Sequence, residues 1–226
     1  QEEADATAKE ANKVAADLEA AGMKEEADKI KEMQAGLTSG DMSGADMEKQ
    51  AQEAHDLAAK LRAEGKEDLA KEVEELANKM DEAAAKKLDA DAKEADKAAH
   101  DAANEAAGEA GAVEDKLRAA GLGDDADEVA RIKTVAEEAA KGNASGEDLS
   151  KAIDDTKAEI AKLKAEGHTE EAEALEKVLA KLEETQEANQ AKQDAADDAA
   201  RMEAAKAAQE EADATAKEAN KVAADL

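Results

Sequence analysis

The 226-residue chain contains no proline, no cysteine, and no phenylalanine, tyrosine or tryptophan. Proline interrupts helices more strongly than any other residue, so its absence favours long unbroken helices. Without cysteine the chain has neither a disulfide framework nor a thiol nucleophile. Without aromatic rings it also lacks the side chains on which nucleotide bases stack. These absences favour a helical structural protein over an enzyme.

Large apolar side chains are also scarce, since leucine, valine, methionine and isoleucine together number 32, against 63 alanines. Full burial of all 32 would contribute on the order of 50–100 kcal/mol. Ordering the chain costs more than that, at about 1.5 kcal/mol per residue. Alanine burial and helical hydrogen bonds must therefore supply the rest. The composition predicts an all-α fold of elongated bundles rather than one large globular core.

Acidic residues dominate the charge, with 60 Asp and Glu against 31 Lys and Arg, which gives a formal net charge of −29. Binding to nucleic acid or to an anionic membrane needs basic stripes, so neither partner is expected. No apolar run approaches the roughly 20 residues that span a bilayer, so no membrane insertion is expected either. The acidic surface is expected to attract divalent cations without a specific site.

The strongest pattern is an internal repeat, which should be sought before local structure. Residues 1–18 read QEEADATAKEANKVAADL, and residues 209–226 read the same, at a spacing of 208. Such an identity does not arise by chance. We interpret the chain as one full period of a tandem repeat followed by the start of the next period. A designed chain whose end was copied to let units join is the alternative.

A weaker repeat divides the 208 residues into two modules. VAADLEAAG at 14–22 matches VEDKLRAAG at 113–121 at a spacing of 99, and SGADMEK at 43–49 matches SGEDLSK at 145–151 at a spacing of 102. The second module is longer by segments of three and seven residues, which are close to one helical turn and one heptad. We predict modules over 1–99 and 100–208, with 209–226 forming the first helix of the next repeat.

Glycine after the last apolar position of a segment predicts where helices end. Four tight helical turns are predicted on this basis, at Gly22, Gly65, Gly121 and Gly167. Longer loops are predicted at 36–44 and 142–146; Ser43 and Ser145 begin the helices that follow, each with an Asp three residues on (Asp46 and Asp148). The first module is then expected to contain helices at about 2–20, 24–35, 44–64 and from 67 onward.

The fourth predicted helix has no stop signal before Gly121, so it can run for about 54 residues, or roughly 80 Å. Its apolar stripe begins at Leu69 and Val73 and changes to alanine beyond Leu88. We therefore predict an elongated array of small helical bundles, with four helical segments per module, joined by long shared helices. Gly108 and Gly111 lie inside this helix, where we expect either close packing against a neighbour or a bend.

Residues with potential chemistry are few, and we predict no catalytic residue, no cofactor site and no metal site. The three histidines, His55, His100 and His168, are not spaced as metal ligands and are expected to be solvated. The acidic stretch 89–94 resembles a calcium loop only faintly, because it lacks the required glycine and has histidine at position twelve. Asp41 and Asp46 are better explained by helix capping.

Two further features have ordinary explanations. Asn143-Ala144-Ser145 is a glycosylation sequon in a predicted surface loop, and whether it is modified is left open. Four methionines cluster in the first module and are expected to fill gaps in its core, since methionine adapts to irregular packing. They are Met23, Met33, Met42 and Met47.

A helix shared between successive bundles resembles the spectrin-type rods, although the aromatic core residues of spectrin repeats are missing here. In period, acidity and near-identical repetition the chain also resembles the helical tandem arrays of large bacterial surface adhesins. The resemblance implies a spacer, stalk or fibre segment at the cell surface or outside the cell, which projects an adhesive domain and associates with its own neighbouring repeats.

Three other functions fit parts of the pattern. A designed helical repeat or self-assembling fibre would explain the restricted set of residue types, but its modules would be expected to match more closely. A stress protein rich in Ala, Glu and Lys would be disordered in water and would lack regular helix stops. A helical binding module would show an exposed apolar stripe on the helices at 24–35 or 44–64.

Overall fold

The computed structural model describes residues 2–39 and 42–224, and every regular element within these ranges is an α-helix. The prediction of an all-α fold is therefore confirmed. The described residues form seven helices: α1 (Glu2–Ala20), α2 (Lys24–Ser39), α3 (Gly44–Ala63), α4 (Glu67–Ala119), α5 (Gly123–Ala140), α6 (Gly146–Glu166) and α7 (Thr169–Ala224). Among them, no helix is both long enough and apolar enough to cross a membrane.

The four tight turns share one hydrogen-bond pattern, and each contains the predicted glycine, with φ between 76° and 90°. After α1, the amide of Met23 donates to the carbonyl of Leu18 at 2.9 Å, and the amide of Gly22 donates to that of Glu19 at 2.9 Å. These two bonds form a Schellman motif, which satisfies the last carbonyls of the helix. The bond that spans five residues, like that from Met23 to Leu18, recurs in the other three turns at 2.8–2.9 Å. The predicted tight turns are confirmed.

The end of α2 lies four residues beyond the predicted one, at Ser39 instead of residue 35. Gly36 was expected to open a loop, but it is helical, at a cost of about 1 kcal/mol relative to alanine. A Cβ atom at this position would overlap the side chain of Met42 and lie 2.9 Å from Nε2 of Gln50. Glycine at this position therefore makes room for neighbouring side chains and does not end the helix.

Serine caps begin α3 and α6, as predicted. The hydroxyl of Ser43 accepts the amide of Asp46 at 3.1 Å, and that of Ser145 accepts the amide of Asp148 at 3.1 Å. The Asp148 carboxylate also accepts the amide of Ser145 at 3.0 Å, which completes a capping box. Hydrogen bonding to Ser145 lowers the pKa of Asp148.

Helix α4 continues for 53 residues, so the prediction of a long fourth helix is confirmed and residues 88–113 do not turn back as a hairpin. Gly108 and Gly111 lie within it, and a Cβ atom at Gly108 would meet nothing within 4 Å. At Gly111 the nearest atoms belong to Lys133, at an ordinary contact distance of 3.6 Å. Close packing therefore does not explain either glycine.

The chain divides into two units of dense internal contact. The first unit contains α1, α2, α3, residues 67–91 of α4 and the part of α7 from residue 195. Its core contains fully buried Leu, Ile, Val and Met side chains, including Leu18, Ile30 and Met80. Of the four methionines predicted for this core, Met23, Met33 and Met47 are buried and Met42 is half-buried against it.

Glycine permits an unusually close approach of α3 to α4 in the first unit. Gly44, the first residue of α3, is buried, and a Cβ atom there would lie 2.6 Å from Cγ and 2.9 Å from the backbone nitrogen of Leu88. The amide of Gly44 also donates to the carboxylate of Asp91 at 3.3 Å. Its counterpart in the sequence repeat, Gly146, has nothing within 4 Å of the same position.

The second unit contains residues 92–119 of α4, α5, α6 and residues 169–194 of α7. Its core is formed by alanines of α4 together with larger aliphatic side chains such as Leu117, Ile132 and Leu163. Two threonines, Thr156 and Thr185, are completely buried. Each hydroxyl donates to the carbonyl four residues earlier, at 2.6 and 2.7 Å, so neither is left unsatisfied.

Helix α7 runs antiparallel to α4 in the second unit, since Lys181 pairs with Glu105 at 2.8 Å and Lys192 with Asp96 at 2.5 Å. Three helix reversals separate the two helices in the chain, which explains the opposite direction. From residue 195 onward α7 belongs to the first unit, where Met202 packs against the core. Most side chains of 209–226 lie outside the described residues. The module boundaries and the assignment of 209–226 to a next repeat stay predictions.

Candidate functional site

The most unusual polar group of the first unit is a buried histidine between two carboxylates. His55 of α3 is 8% exposed. Its Nδ1 lies 3.1 Å from Oε1 of Glu74, and its Nε2 lies 2.8 Å from Oδ2 of Asp81, both on α4. Arg62 lies 3.6 Å from the second oxygen of Glu74. The expectation that His55 is solvated is wrong, because these residues of α3 and α4 enclose it.

The surroundings of His55 favour its charged form. The hydrogen bond to Asp81 raises the pKa of His55, and this effect is larger than the lowering caused by burial. When the ring is protonated, both nitrogens donate, one to each carboxylate. Neither nitrogen then has a lone pair with which to bind a metal or accept a proton. The cluster is suited to holding α3 against α4.

The same ion pairs recur in the second unit at a spacing of 102 residues. The pair His55–Asp81 corresponds to Lys157–Glu183, which is 2.9 Å long, and the pair Arg62–Glu74 corresponds to Lys164–Glu176, which is 2.6 Å long. The basic residues lie on α3 in the first unit and on α6 in the second. The acids lie on the helix that follows, α4 in the first unit and α7 in the second. The chemistry differs between units, but the sign of each charge and the helices that it joins are the same.

A third pair of this kind links the two preceding helices. Lys60 of α3 lies 2.7 Å from Glu26 of α2, and the corresponding Lys162 of α6 pairs with Asp125 of α5. The spacing is 102 residues for the lysines and 99 for the acids. Each lysine lowers the pKa of its partner carboxyl. Asp125 is 5% exposed, so its pair is the more deeply buried of the two.

One buried acid has no equivalent in the first unit. Glu159 of α6 is 6% exposed, whereas the repeat spacing of 102 places Leu57 at the corresponding position, also 6% exposed. Burial, together with the neighbouring Asp125, raises the pKa of Glu159 to about 7. Its Oε1 is buried without a hydrogen-bond partner and lies 4.0 Å from Nζ of Lys162. A carboxyl group thus occupies a core position that leucine fills in the other unit.

A shallow groove of about 350 Å³ lies between α2 and α3 in the first unit. Its apolar wall consists of Met33 and Leu57, both almost fully buried. The other lining residues are charged: Glu26, Lys29, Glu53, Asp56 and Lys60. On both helices the larger aliphatic side chains that the structure describes are buried in the core. The exposed apolar stripe expected of a binding module is therefore not present on the described residues of these helices.

The remaining acidic candidates have structural roles or lie outside the description. Residues 89–94 lie within α4 and form no calcium-binding loop. Asp91 there accepts the amide of Gly44 and pairs with Lys87 at 2.7 Å. Asp46 belongs to the Ser43 cap of α3, because its amide donates to the Ser43 hydroxyl and its carboxylate accepts from that hydroxyl. Asp41 lies outside the described residues. Among the residues that the structure describes, no group of three or more acidic or histidine side chains could hold a metal ion.

The other two histidines and the sequon lie at the surface. His100 is exposed and its Nδ1 lies 2.5 Å from the carbonyl of Ala140, while His168 is half-exposed in the last tight turn. Asn143 is exposed, and its side-chain amide donates to Glu138 at 3.2 Å.

Comparisons with known proteins identify no relative. No family model matches the chain, no curated protein matches it, and no solved structure matches it.

Proposed function

We propose that the chain is a structural spacer, a stalk or fibre segment built from a 208-residue tandem repeat, and that it is not catalytic. The observation that carries this proposal is the recurrence of 18 identical residues at a spacing of 208. A tandem array is a way of making length, because each added repeat extends the polymer without new chemistry. The proposed location is the cell surface or the extracellular space.

The continuity of α4 supports the mechanical part of this proposal. The helix contributes residues 67–91 to the first unit and 92–119 to the second, without a break between them. At 1.5 Å per residue its 53 residues are about 80 Å long. A helix that is packed at both ends resists bending better than a flexible linker does, so an array of bundles joined in this way would be stiff.

The repeated ion pairs support the same function. Three cross-helix ion pairs recur with the same charge signs at spacings of 99 and 102 residues. All of them join one helix to the next. The polar groups that the two units have in common are therefore those that hold helices together, which is what a scaffold needs.

Small-angle X-ray scattering of the wild-type chain tests the proposal. A compact globule of 226 residues has a radius of gyration near 17 Å. An elongated array should give a clearly larger radius, since a rod of about 80 Å already has a radius of gyration of roughly 23 Å. A radius near that of the globule would refute the elongated architecture.

A proline substitution tests whether α4 carries the length. Ala98 is exposed in the middle of α4, and Ala98→Pro removes a helical hydrogen bond and kinks the helix. The maximum dimension should fall, or its distribution should broaden, while most of the helicity remains. Glu67→Pro, at the first position of the same helix, is the matched control, because proline is tolerated there. Equal effects of the two substitutions would contradict a role for the unbroken helix.

A further inference from the structure

Helix α1 is held in the first unit by one apolar face. Ala11, Val14, Ala15 and Leu18 on this face are at most 1% exposed. Two ion pairs to α4 lie beside it: Lys13–Glu72, 3.3 Å long, and Glu10–Lys79. Because the residue numbers fall along α4 as they rise along α1, the two helices are antiparallel. Val14 belongs to the core that α2, α3 and α4 complete.

Residues 209–226 carry the same side chains in the same order. Val222 is the copy of Val14, and Lys221 and Glu218 are the copies of the two ion-pairing residues. A helix of this sequence placed where α1 lies would make the same apolar contacts and the same ion pairs with Glu72 and Lys79. The contact free energy of the two segments at that position is therefore the same, and only their covalent connection differs.

We propose that residues 209–226 of one chain take the place of α1 in the first unit of a second copy, so that copies join end to end. This proposal rests on the tandem-repeat function proposed above: in a longer array the same segment would be the first helix of the following repeat. Between separate chains the segment makes the same contacts without a peptide link. The partner is thus a second copy of this chain, and the surface is the face of α2, α3 and α4 that α1 covers.

Two competing interactions set the strength of this association: the chain's own α1, and the contacts of α7 from residue 195 onward within the first unit of its own chain. The chain's own α1 is tethered through a turn of a few residues, which corresponds to an effective concentration in the millimolar range. The wild-type chain should therefore exchange α1 measurably only as its concentration approaches that range. Weakening α1 while leaving its copy intact should shift the exchange to much lower concentrations.

Matched substitutions in the full chain test the proposal. Val14→Asp places a charge on the buried face of α1, whereas Val222→Asp does the same to the copy. The apparent mass of each variant is measured by light scattering with refractive-index detection between 10 and 500 µM. We expect Val14→Asp to associate with rising concentration, and Val222→Asp and the double variant to stay monomeric.

A milder variant covers the case in which aspartate prevents the first unit from folding. Val14→Ala removes two buried methyl groups and should lower the concentration needed for association roughly tenfold relative to wild type. The proposal is overturned if both Val14 variants stay monomeric, or if Val14→Asp and the double variant associate equally. The radius of gyration of the wild-type monomer is independent of this exchange, so failure here and failure of the spacer function are distinguishable.

Discussion

Replacing Glu159 by leucine should stabilise the protein, and by more at alkaline than at acidic pH. The equivalent position in the first unit is already a leucine, Leu57. The neighbouring ion pair Lys60–Glu26 is present there as well, so leucine at this position is compatible with the pair. The new side chain has nearly the same size, so the core needs little rearrangement.

The magnitude follows from the pKa of Glu159, which burial raises from 4.5 to about 7. Below pH 4.5 the carboxyl is protonated in both the folded and the unfolded chain and exerts no pH-dependent effect. Between pH 4.5 and 7 the unfolded chain loses this proton first, so stability falls as the pH rises, by about 1.4 kcal/mol per unit. Above pH 7 the full penalty of about 3 kcal/mol is present. Leucine removes it and adds about 1 kcal/mol of apolar burial.

The assay is urea unfolding followed by circular dichroism at the helix band, because the chain has no aromatic residue to report by fluorescence. At pH 8 the variant should gain about 3–4 kcal/mol over wild type, and at pH 4.5 only about 1 kcal/mol. Glu159→Gln is the matched control, since it removes the charge without adding an apolar group and should abolish only the pH-dependent part. A gain that is the same at both pH values would refute this account of Glu159.

Three further predictions concern single residues. Gly44→Ala should destabilise the protein by about 1–2 kcal/mol, because the new methyl group meets the backbone at Leu88. The control Gly146→Ala should be neutral or slightly stabilising, and thermal melts compare the two variants. The pKa of His55 is raised in the folded protein, so protonated His55 stabilises the fold. This stabilisation is complete below the unfolded-state pKa of 6.5 and is lost as the pH rises through the folded-state pKa. His55→Lys, which copies the second unit, should lose this contribution to the pH dependence of stability between pH 6 and 9, measured by urea unfolding, and keep the contribution of Glu159. Gly108→Ala should stabilise α4 by about 0.5–1 kcal/mol and raise the melting temperature.

Signals confined to one stretch of chain predicted the local structure well. The glycine turns, the serine caps and the 53-residue α4 each depend on residues that are neighbours in sequence, such as Ser145 with Asp148. The apolar stripe of α4 marked its core face at Val73, and the packing behaviour of methionine placed three of the four methionines in the core. In all these cases the physical cause lies within a few helical turns, where the sequence is sufficient.

Features that depend on another helix were not predicted. The surroundings of His55 come from Glu74 and Asp81, which are 19 and 26 residues away, and no pattern on α3 alone indicates them. Gly44 is required by Leu88, and Gly36 makes room for the side chains of Met42 and Gln50. The two-module repeat contained a usable signal, since opposite charges recurring 102 residues apart mark the cross-helix pairs. Alignment of the two modules at this spacing also pairs Leu57 with Glu159, which indicates a polar residue at a core position.

The uninterrupted course of α4 has a consequence for how the protein folds. Starting a helix is unfavourable by a factor of roughly 10³, whereas extending an existing one is close to neutral. Whichever unit forms first therefore presents the other with a helix that is already nucleated, which removes on the order of 4 kcal/mol of initiation cost. Folding of the two units is thereby coupled through the residues of α4 that they share.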